Sequence, residues 1–512
     1  MNSKILIEVE NFGPIGYSKL NLNDLTIFIG PNNTGKSYAA MLIYQLLRTL
    51  SRIAIFSSSF YSFRRHLILD SYFEESEQRF IRNRRFPFKI DLESMTGDIT
   101  DFLKKYQEQL NSDKEIEIPK DIIENFHNDV LKSIKLYVLD NLTNEFKRIY
   151  ACSLKELTKF GNECFKVTLT SEEIEIVLEC DEKKIISKSF KIEIPTIYMS
   201  KKLLKRDQKF FLRYKSSTLE IRDNFKFSKK ISLEATSMEI LERMIEIFLD
   251  GIRKKLQLIP SRIFYYLPAT RAGLIQGQKA ISSAFYRLSS RALIDPINIP
   301  TLSGIISDFL VKIIEIGRKK VKYKNLVEFL EQKLTKGKIE YISDENGVAS
   351  EIMYITDEGE IPLYRASSMI SELAPIVLYF KHIIDSKCFI IIEEPEAHLH
   401  PDAQRIFAQF IVKLIRAGLK VLITTHSDFL ILQLNNFIRL SKKTPKLRTS
   451  LNYDKNDFIK HEEVNTFLFQ YNEKMHGIST EDLETTEFGI DEDHFAQLTD
   501  QLYGESTVID KR

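Results

Sequence analysis

One stretch limits what this chain can fold into more than any other. It is Leu25 to Leu50, LTIFIGPNNTGKSYAAMLIYQLLRTL. Its apolar start, Leu25–Ile29, reads as a buried strand. Gly30-Pro31-Asn32-Asn33-Thr34-Gly35-Lys36-Ser37 then fits G-x-x-x-x-G-K-[ST]. From Ser37 the apolar residues recur at helical spacing, with no Gly or Pro before Leu50. Strand, glycine loop and helix in that order form the context of a phosphate-binding loop. Gly30 and Gly35 have no side chains, so the backbone N–H groups of Asn32, Asn33, Thr34, Gly35, Lys36 and Ser37 can wrap a phosphate. The helix N-terminus adds positive potential there. In such a loop Lys36 reaches the β/γ-phosphates and the Ser37 hydroxyl holds Mg²⁺.

Two later stretches make sense beside the first. The run CFIII, 388–392, reads as a buried strand and ends in Glu393-Glu394-Pro395-Glu396. Carboxylates at the C-terminal end of an apolar strand lie where an α/β sheet places its ligand. There Glu393 is suited to hold Mg²⁺, directly or through water. Glu394 is suited to orient and deprotonate an attacking water. VLITTHSDFL puts His426 just past another buried strand, in reach of a γ-phosphate or that water. A third stretch, Ala366-Ser367-Ser368-Met369-Ile370-Ser371-Glu372-Leu373, begins a helix expected to run to about Ile384. Hydroxyls and N–H groups at a helix start bind anions, but a plain N-cap looks the same.

In this order the stretches resemble the ABC-type ATPases, specifically the RecF/SMC/OLD-like branch. GPNNTGKS resembles the Walker A motif, SSMISEL the signature, FIIIEEPEAHLHP the Walker B with its D-loop, and TTHSD the histidine switch loop. IEVENFGPI near the start and YYLPATRAGL at 265–274 are similar to that branch as well. The resemblance implies an α/β fold, an ABC-type P-loop ATPase head carrying a large mixed α+β insertion. It implies ATP hydrolysis with Mg²⁺, catalytic roles for Lys36, Glu394 and His426, and metal contacts from Ser37 and Glu393. It further implies a head-to-tail homodimer, with higher oligomers in reach, around two ATPs. In that dimer Ser367 and Ser368 cap the γ-phosphate bound by the other copy's Lys36, while His398 and His400 lie in the D-loop across the interface. Glu393 stands where the family usually has Asp, and Met369 where the signature usually has Gly.

The resemblance covers about 1–50 and 262–440. It divides the chain into a first part of the head (1–50), an insertion (51–257), a second part of the head (258–440) and a C-terminal extension (441–512). The insertion reads as helical to about Leu157, strand-like from about Cys164 to Glu193 and again at Phe210–Leu233, then helical at about Ser237–Leu256. Within it, FRRHLILD…QRFIRNRRFPFK (63–89) and KKLLKRDQKFFLRYK (201–215) mix Arg and Lys with aromatics. Each is either a solvated charged face or a phosphate- and base-contacting surface. Arg271 either points into the site or braces its loop. After His426, the acidic run Asp491-Glu492-Asp493 follows no apolar strand and reads as a solvated tail, so a Toprim-type nuclease is not expected.

Lys+Arg 73 against Asp+Glu 71 gives a net charge of +2, so bulk charge does not make this chain a polyanion binder. Its four cysteines form no C-x-x-C pair, which speaks against a zinc site or a disulfide framework and fits a reducing compartment. With no apolar leader and no run of ~18 apolar residues, a cytoplasmic protein without membrane spans is expected. Three readings of function follow. The first is an ATP-driven switch that controls a partner effector protein, such as a nuclease, as in stand-alone ATPases of bacterial anti-phage systems. The second is a RecF-like ATPase of DNA repair, with nucleic acid as its partner. A scaffold that binds ATP without hydrolysing it is a third reading, prompted by Met369.

Overall fold

The computed structural model describes residues 5–67, 92–105, 116–171, 174–192, 196–204, 207–215, 220–227, 263–277, 302–316, 322–343, 350–384, 386–491 and 493–510, with isolated positions between 240 and 283. The chain divides into two compact units. One comprises Lys4–Gln45, Glu145–Val167 and Ile263–Arg512; the other comprises Met1–Ser3, Leu46–Asn144 and Thr168–Arg262.

The first unit is built on a mixed sheet. Its strands are β1 (Leu6–Phe12), β2 (Ile15–Asn21), β3 (Leu25–Ile29), β4 (Phe264–Leu267), β5 (Phe389–Glu393), β6 (Lys420–Thr425), β7 (Val464–Asn472) and β8 (Gly477–Leu483). Their spatial order is β4-β5-β6-β3-β7-β8-β2-β1. The five from β4 to β7 are all parallel. Every residue of β3, β4 and β5 is buried. That explains why they read as unbroken apolar runs: a parallel strand covered on both faces has no polar side to alternate with. The stretch 441–512, expected as a C-terminal extension, supplies β7 and β8, and β7 lies directly beside β3.

Short helices return the chain between these strands. From β5 it passes through α3 (Pro401–Arg416) to β6, and from β6 into α4 (Asp428–Arg439). Pro401 occupies the first turn of α3, where its missing N–H costs nothing. Phe407, Phe410, Ile411 and Leu414 make its buried stripe. Such side chains each contribute roughly 1.5–3 kcal/mol on burial. Gly418, at φ +80°, stops the helix as its position predicts. The helix expected from Ser367 is α2 (Ser368–Leu378), extended by a π turn at Tyr379–Ile383. Three short strands, Lys338–Ser343, Ser350–Thr356 and Gly359–Pro362, form an antiparallel meander.

Glu145–Val167 lies inside the expected insertion, yet it packs in this unit. Phe146, Tyr150 and Phe165 surround Phe12 of β1, with ring centroids 5.9, 5.4 and 5.1 Å away. The Tyr150 hydroxyl donates to the Tyr38 carbonyl in the first turns of α1 (Lys36–Leu67), at 2.9 Å. Arg148 donates to Asp308 through both terminal nitrogens, at 2.9 and 3.0 Å. Aromatic clustering, not a motif, recruits this segment.

The second unit holds the helix Leu92–Lys105 and most of Lys120–Tyr150, with the antiparallel pair Ile174–Cys180 and Ile185–Ile192. A separate sheet follows, in the order Glu220–Phe227, Asp207–Lys215, Thr196–Leu204, Ile116–Glu117. Past Leu67, the basic stretch 63–89 lies outside the described residues, as does most of the helix expected at Ser237–Leu256. Among the described residues no helix is long and apolar enough to cross a membrane.

Candidate functional site

The parallel strands end side by side. Glu393 of β5 is in register with Thr424 of β6, and Thr425 with Ile29 of β3. Adjacent strands lie roughly 4.8 Å apart, so this register brings Glu393, Glu394, His426 and the loop after Ile29 to one rim.

The loop is shaped by backbone conformation. Gly30 takes φ +135°, Asn33 +63° and Gly35 +83°. A Cβ on Gly30 would stand 2.2 Å from the Phe469 carbonyl oxygen of β7, so only glycine fits. Asn32 and Asn33 are exposed at the tip, Thr34 and Lys36 are buried, and Gly35 and Ser37 are half-buried. The Thr34 hydroxyl donates to the Pro31 carbonyl at 2.8 Å. The Lys36 ammonium donates to the Gly30 and Pro31 carbonyls at 2.8 and 2.7 Å. Burial pulls its pKa down to about 8, opposed by Glu394 and Glu396. Lys36, the two carboxylates and His426 therefore share one electrostatic neighbourhood.

Glu393 is 4% exposed. Its Oε2 accepts the Ala269 N–H at 3.1 Å, while the buried Oε1 has no hydrogen-bond partner. Burial raises the Glu393 pKa. The Ser37 hydroxyl, the Tyr266 phenol and the Ala269 N–H oppose that rise, and Glu394 adds to it. Ser37 and Tyr266 thus stand against the carboxylate, although neither completes a hydrogen bond of normal geometry to Oε1. A buried carboxylate oxygen without a donor is costly unless a cation takes that position. A carboxylate and a hydroxyl, both hard oxygen donors, fit Mg²⁺. The expected pair Glu393 and Ser37 therefore suits the ion.

Glu394 adopts φ +41°, in the left-handed region that a residue with a Cβ avoids. Its N–H donates to the Thr424 carbonyl at 2.9 Å, which holds the turn. The carboxylate is half-exposed and lies 3.7 Å from His426 Nε2. His426 has its pKa lowered by burial and then by Lys36, against Glu394 and the Gly30 carbonyl. It is therefore neutral at pH 7.

Two residues missing from the sequence reading hold this arrangement. Glu396 Oε1 accepts the Thr425 hydroxyl at 2.7 Å and the His426 N–H at 2.6 Å, tying the turn after β5 to the loop after β6. Tyr266 of β4 backs Glu393. Both sit beside recognised motifs, Glu396 within EEPE itself, but their roles depend on pairing between distant strands. Arg271, left open between two roles, is a brace. It is 0% exposed and donates to the Pro268, Glu372, Glu393 and Glu394 carbonyls. It also pairs with the Glu372 carboxylate at 3.0 Å.

Ser367 and Ser368 are exposed at the start of α2. The Ser367 hydroxyl caps the helix, accepting from the Ile370 N–H at 3.4 Å. Among the described residues no hydrogen bond or ion pair joins either serine to the loop at 30–37. His398, at φ +59°, is also exposed, and His400 caps α3.

A family model described as an AAA ATPase domain matches residues 5–431. No curated protein matches. Several solved structures align along most of the chain. One is the SMC head bound to the C-winged helix domain of ScpA, at 9% identity, 94% of this chain, 97% of that chain and TM-score 0.33. Another is the SMC head domain from Thermotoga maritima, at 8%, 94%, 100% and 0.29. A third is an SMC head domain with an extended coiled coil bound to the C-terminal domain of ScpA, from Pyrococcus furiosus, at 8%, 94%, 96% and 0.32. Those scores are too low to carry fold or function across, so the assignment stands on the family model and on the rim of strands that holds its motifs. The chain belongs to the AAA ATPase domain family.

Proposed function

We propose that this chain is an ATP-hydrolysing switch that closes head-to-tail with a second copy around two ATPs. One observation carries the hydrolytic reading: the buried, unpartnered Glu393 Oε1 beside Ser37, one strand end from Glu394 and His426. On binding ATP, Lys36 exchanges the Gly30 and Pro31 carbonyls for β/γ-phosphate oxygens, a charge-assisted contact. Ser37 and Glu393 would hold Mg²⁺, and the ion when bound would supply positive charge against the transferring phosphoryl group. Glu394 accepts a proton from the attacking water. His426, neutral, hydrogen-bonds the γ-phosphate or that water. Glu396 keeps His426 over the loop.

The dimer rests on the family resemblance and on the exposure of Ser367 and Ser368 at the α2 start, where hydroxyls and N–H groups are available to another molecule's phosphate. Control of a partner effector such as a nuclease, in anti-phage defence, rests on resemblance alone. Glu394→Gln separates these parts. It should bind ATP with Mg²⁺ at near wild-type affinity, turn over roughly 10²–10⁴-fold slower, and accumulate as a dimer in light scattering. A wild type with no turnover above the Glu394→Gln level removes the hydrolytic reading. A variant that stays monomeric at saturating ATP removes the dimer.

A further inference from the structure

The loop at 30–37 has strands on both sides, and only one side serves the phosphates. β5 and β6, which lead into Glu394 and His426, lie on one side of β3. β1 and β2 lie on the other, beyond β7 and β8. A nucleotide whose γ-phosphate faces Glu394 and His426 therefore leads its base toward the second side. That side carries the turn joining β1 to β2. A Cβ on Gly35 would stand 2.8 Å from Pro14 Cγ and 3.0 Å from Ile15 Cγ1, so the turn touches the loop. The ring of Tyr38, one residue past Ser37, lies on Gly13, where a Cβ would come within 2.6 Å of it.

Residues 157–162, outside every motif read in the sequence, are fastened to that turn. The Gly13 N–H donates to the Leu157 carbonyl at 2.7 Å, and the Lys159 N–H to the Asn11 carbonyl at 2.8 Å. Thr158 bridges to Phe12. The Lys159 ammonium crosses to the His476 carbonyl at 2.9 Å, and the Asn162 N–H closes back on the Lys159 carbonyl at 3.1 Å. Gly161 takes φ +85° with nothing within 4 Å of its Cβ position. In this tightly held segment Phe160 is 102% exposed, whereas Phe146 and Phe165, to either side in the sequence, are fully buried. A fixed backbone that leaves a whole aromatic ring in water forgoes a large burial, which a flat ligand can supply.

We propose that Phe160 stacks on the base of the bound nucleotide, so that Lys159–Gly161 forms a shelf for the base beside the phosphate loop. The nucleotide itself rests on the ATPase reading above; the shelf adds the residue that holds its base. Phosphates alone fix Lys36, Ser37 and Glu393 but give no grip on the rest of the ligand. An aromatic face supplies that grip, because every base has a π-face to lay on it. The aromatic comes from a segment of the expected insertion that folds back onto the head, which ties nucleotide binding to that segment's docking.

The test uses the full chain with Mg²⁺, the non-hydrolysable ATP analogue AMP-PNP, and inorganic tripolyphosphate, which has the phosphates and no base. The chain has no tryptophan, so Phe160→Trp provides a single emitter. AMP-PNP should quench or shift its emission, and tripolyphosphate should not. In calorimetry Phe160→Ala should weaken AMP-PNP binding about tenfold, the loss of one base–aromatic stack. It should leave tripolyphosphate affinity unchanged and melt with the wild type, because the ring touches solvent. Phe160→Tyr should keep the affinity for AMP-PNP. A wild type that binds neither ligand overturns the nucleotide reading and the shelf with it. A wild type that binds AMP-PNP no better than Phe160→Ala does overturns the shelf alone. So do equal losses for both ligands, a lower melting temperature, or Trp emission that tripolyphosphate alters as AMP-PNP does. Phe160→Ala that keeps its AMP-PNP affinity but no longer dimerises in light scattering would make Phe160 a contact between copies and also overturns the shelf.

Discussion

Replacing Arg271 by Met tests how the rim of strands is held. Arg271 and Glu372 are 0% and 4% exposed, and their charges meet at 3.0 Å. The same guanidinium donates to four carbonyls at 2.7–3.3 Å. Met keeps much of the side-chain volume and removes every donor. Glu372 is then a buried carboxylate without its cation, which costs about 3–5 kcal/mol. The orphaned carbonyls add to that. For a domain-sized unit each kcal/mol lowers Tm by roughly 2–4 °C, so a fall of about 10 °C is expected.

The sign of the pH dependence follows from Glu372. Burial raises its folded pKa, and Arg271 pulls it back. A carboxyl with a raised folded pKa supports the fold fully below its unfolded pKa and loses that support as pH rises through the folded one. Without Arg271 the rise is larger. The deficit of Arg271→Met should therefore be smallest near pH 5, where Glu372 can protonate, and grow toward pH 8. Urea unfolding at both pH values measures it. Arg271→Met/Glu372→Leu should recover at least about 2 kcal/mol of the loss, since no charge is left stranded. A deficit below about 1 kcal/mol, a deficit independent of pH, or a double variant no better than the single one refutes the brace.

Gly30→Ala should lower ATP affinity at least tenfold and lower Tm, because its Cβ meets the Phe469 carbonyl at 2.2 Å. Gly97→Ala, in the helix Leu92–Lys105 with nothing within 4 Å, should instead gain about 0.5–1 kcal/mol. His426 is held neutral by burial and by Lys36, so turnover should stay level down through the usual imidazole range and fall only below it. His426→Asn should abolish that acidic limb, and a limb unchanged in the variant assigns it elsewhere.

What could be read in advance was local. Strand, loop and helix around Lys36 are contiguous in sequence, and glycine at 30 and 35 announces the positive φ found there. Glu393, Glu394 and His426 each end an apolar run, so their strand-end positions followed from hydrophobic pattern. What pairs with what was not legible. VNTFLFQYN reads as a strand anywhere in the chain, and nothing in it says that it will lie against Leu25–Ile29. The four carbonyls that gather on Arg271 come from three separated segments. The left-handed turn at Glu394 has no glycine to mark it.

The position of β7 has a consequence for synthesis. Its partner β3 is complete by Ile29, but the strand that covers it ends at Asn472. A growing chain at roughly 5–20 residues per second leaves that edge bare for tens of seconds. For most of that interval the chain already carries Lys36 and its loop, while Phe469, whose carbonyl leaves no room for a Cβ at Gly30, has not been made. Nascent polypeptides should thus hold the loop loosely, and nucleotide should be captured only once residue 472 has cleared the ribosome. Late docking of this kind delays ATP binding until Glu393, Glu394 and His426 are all in place.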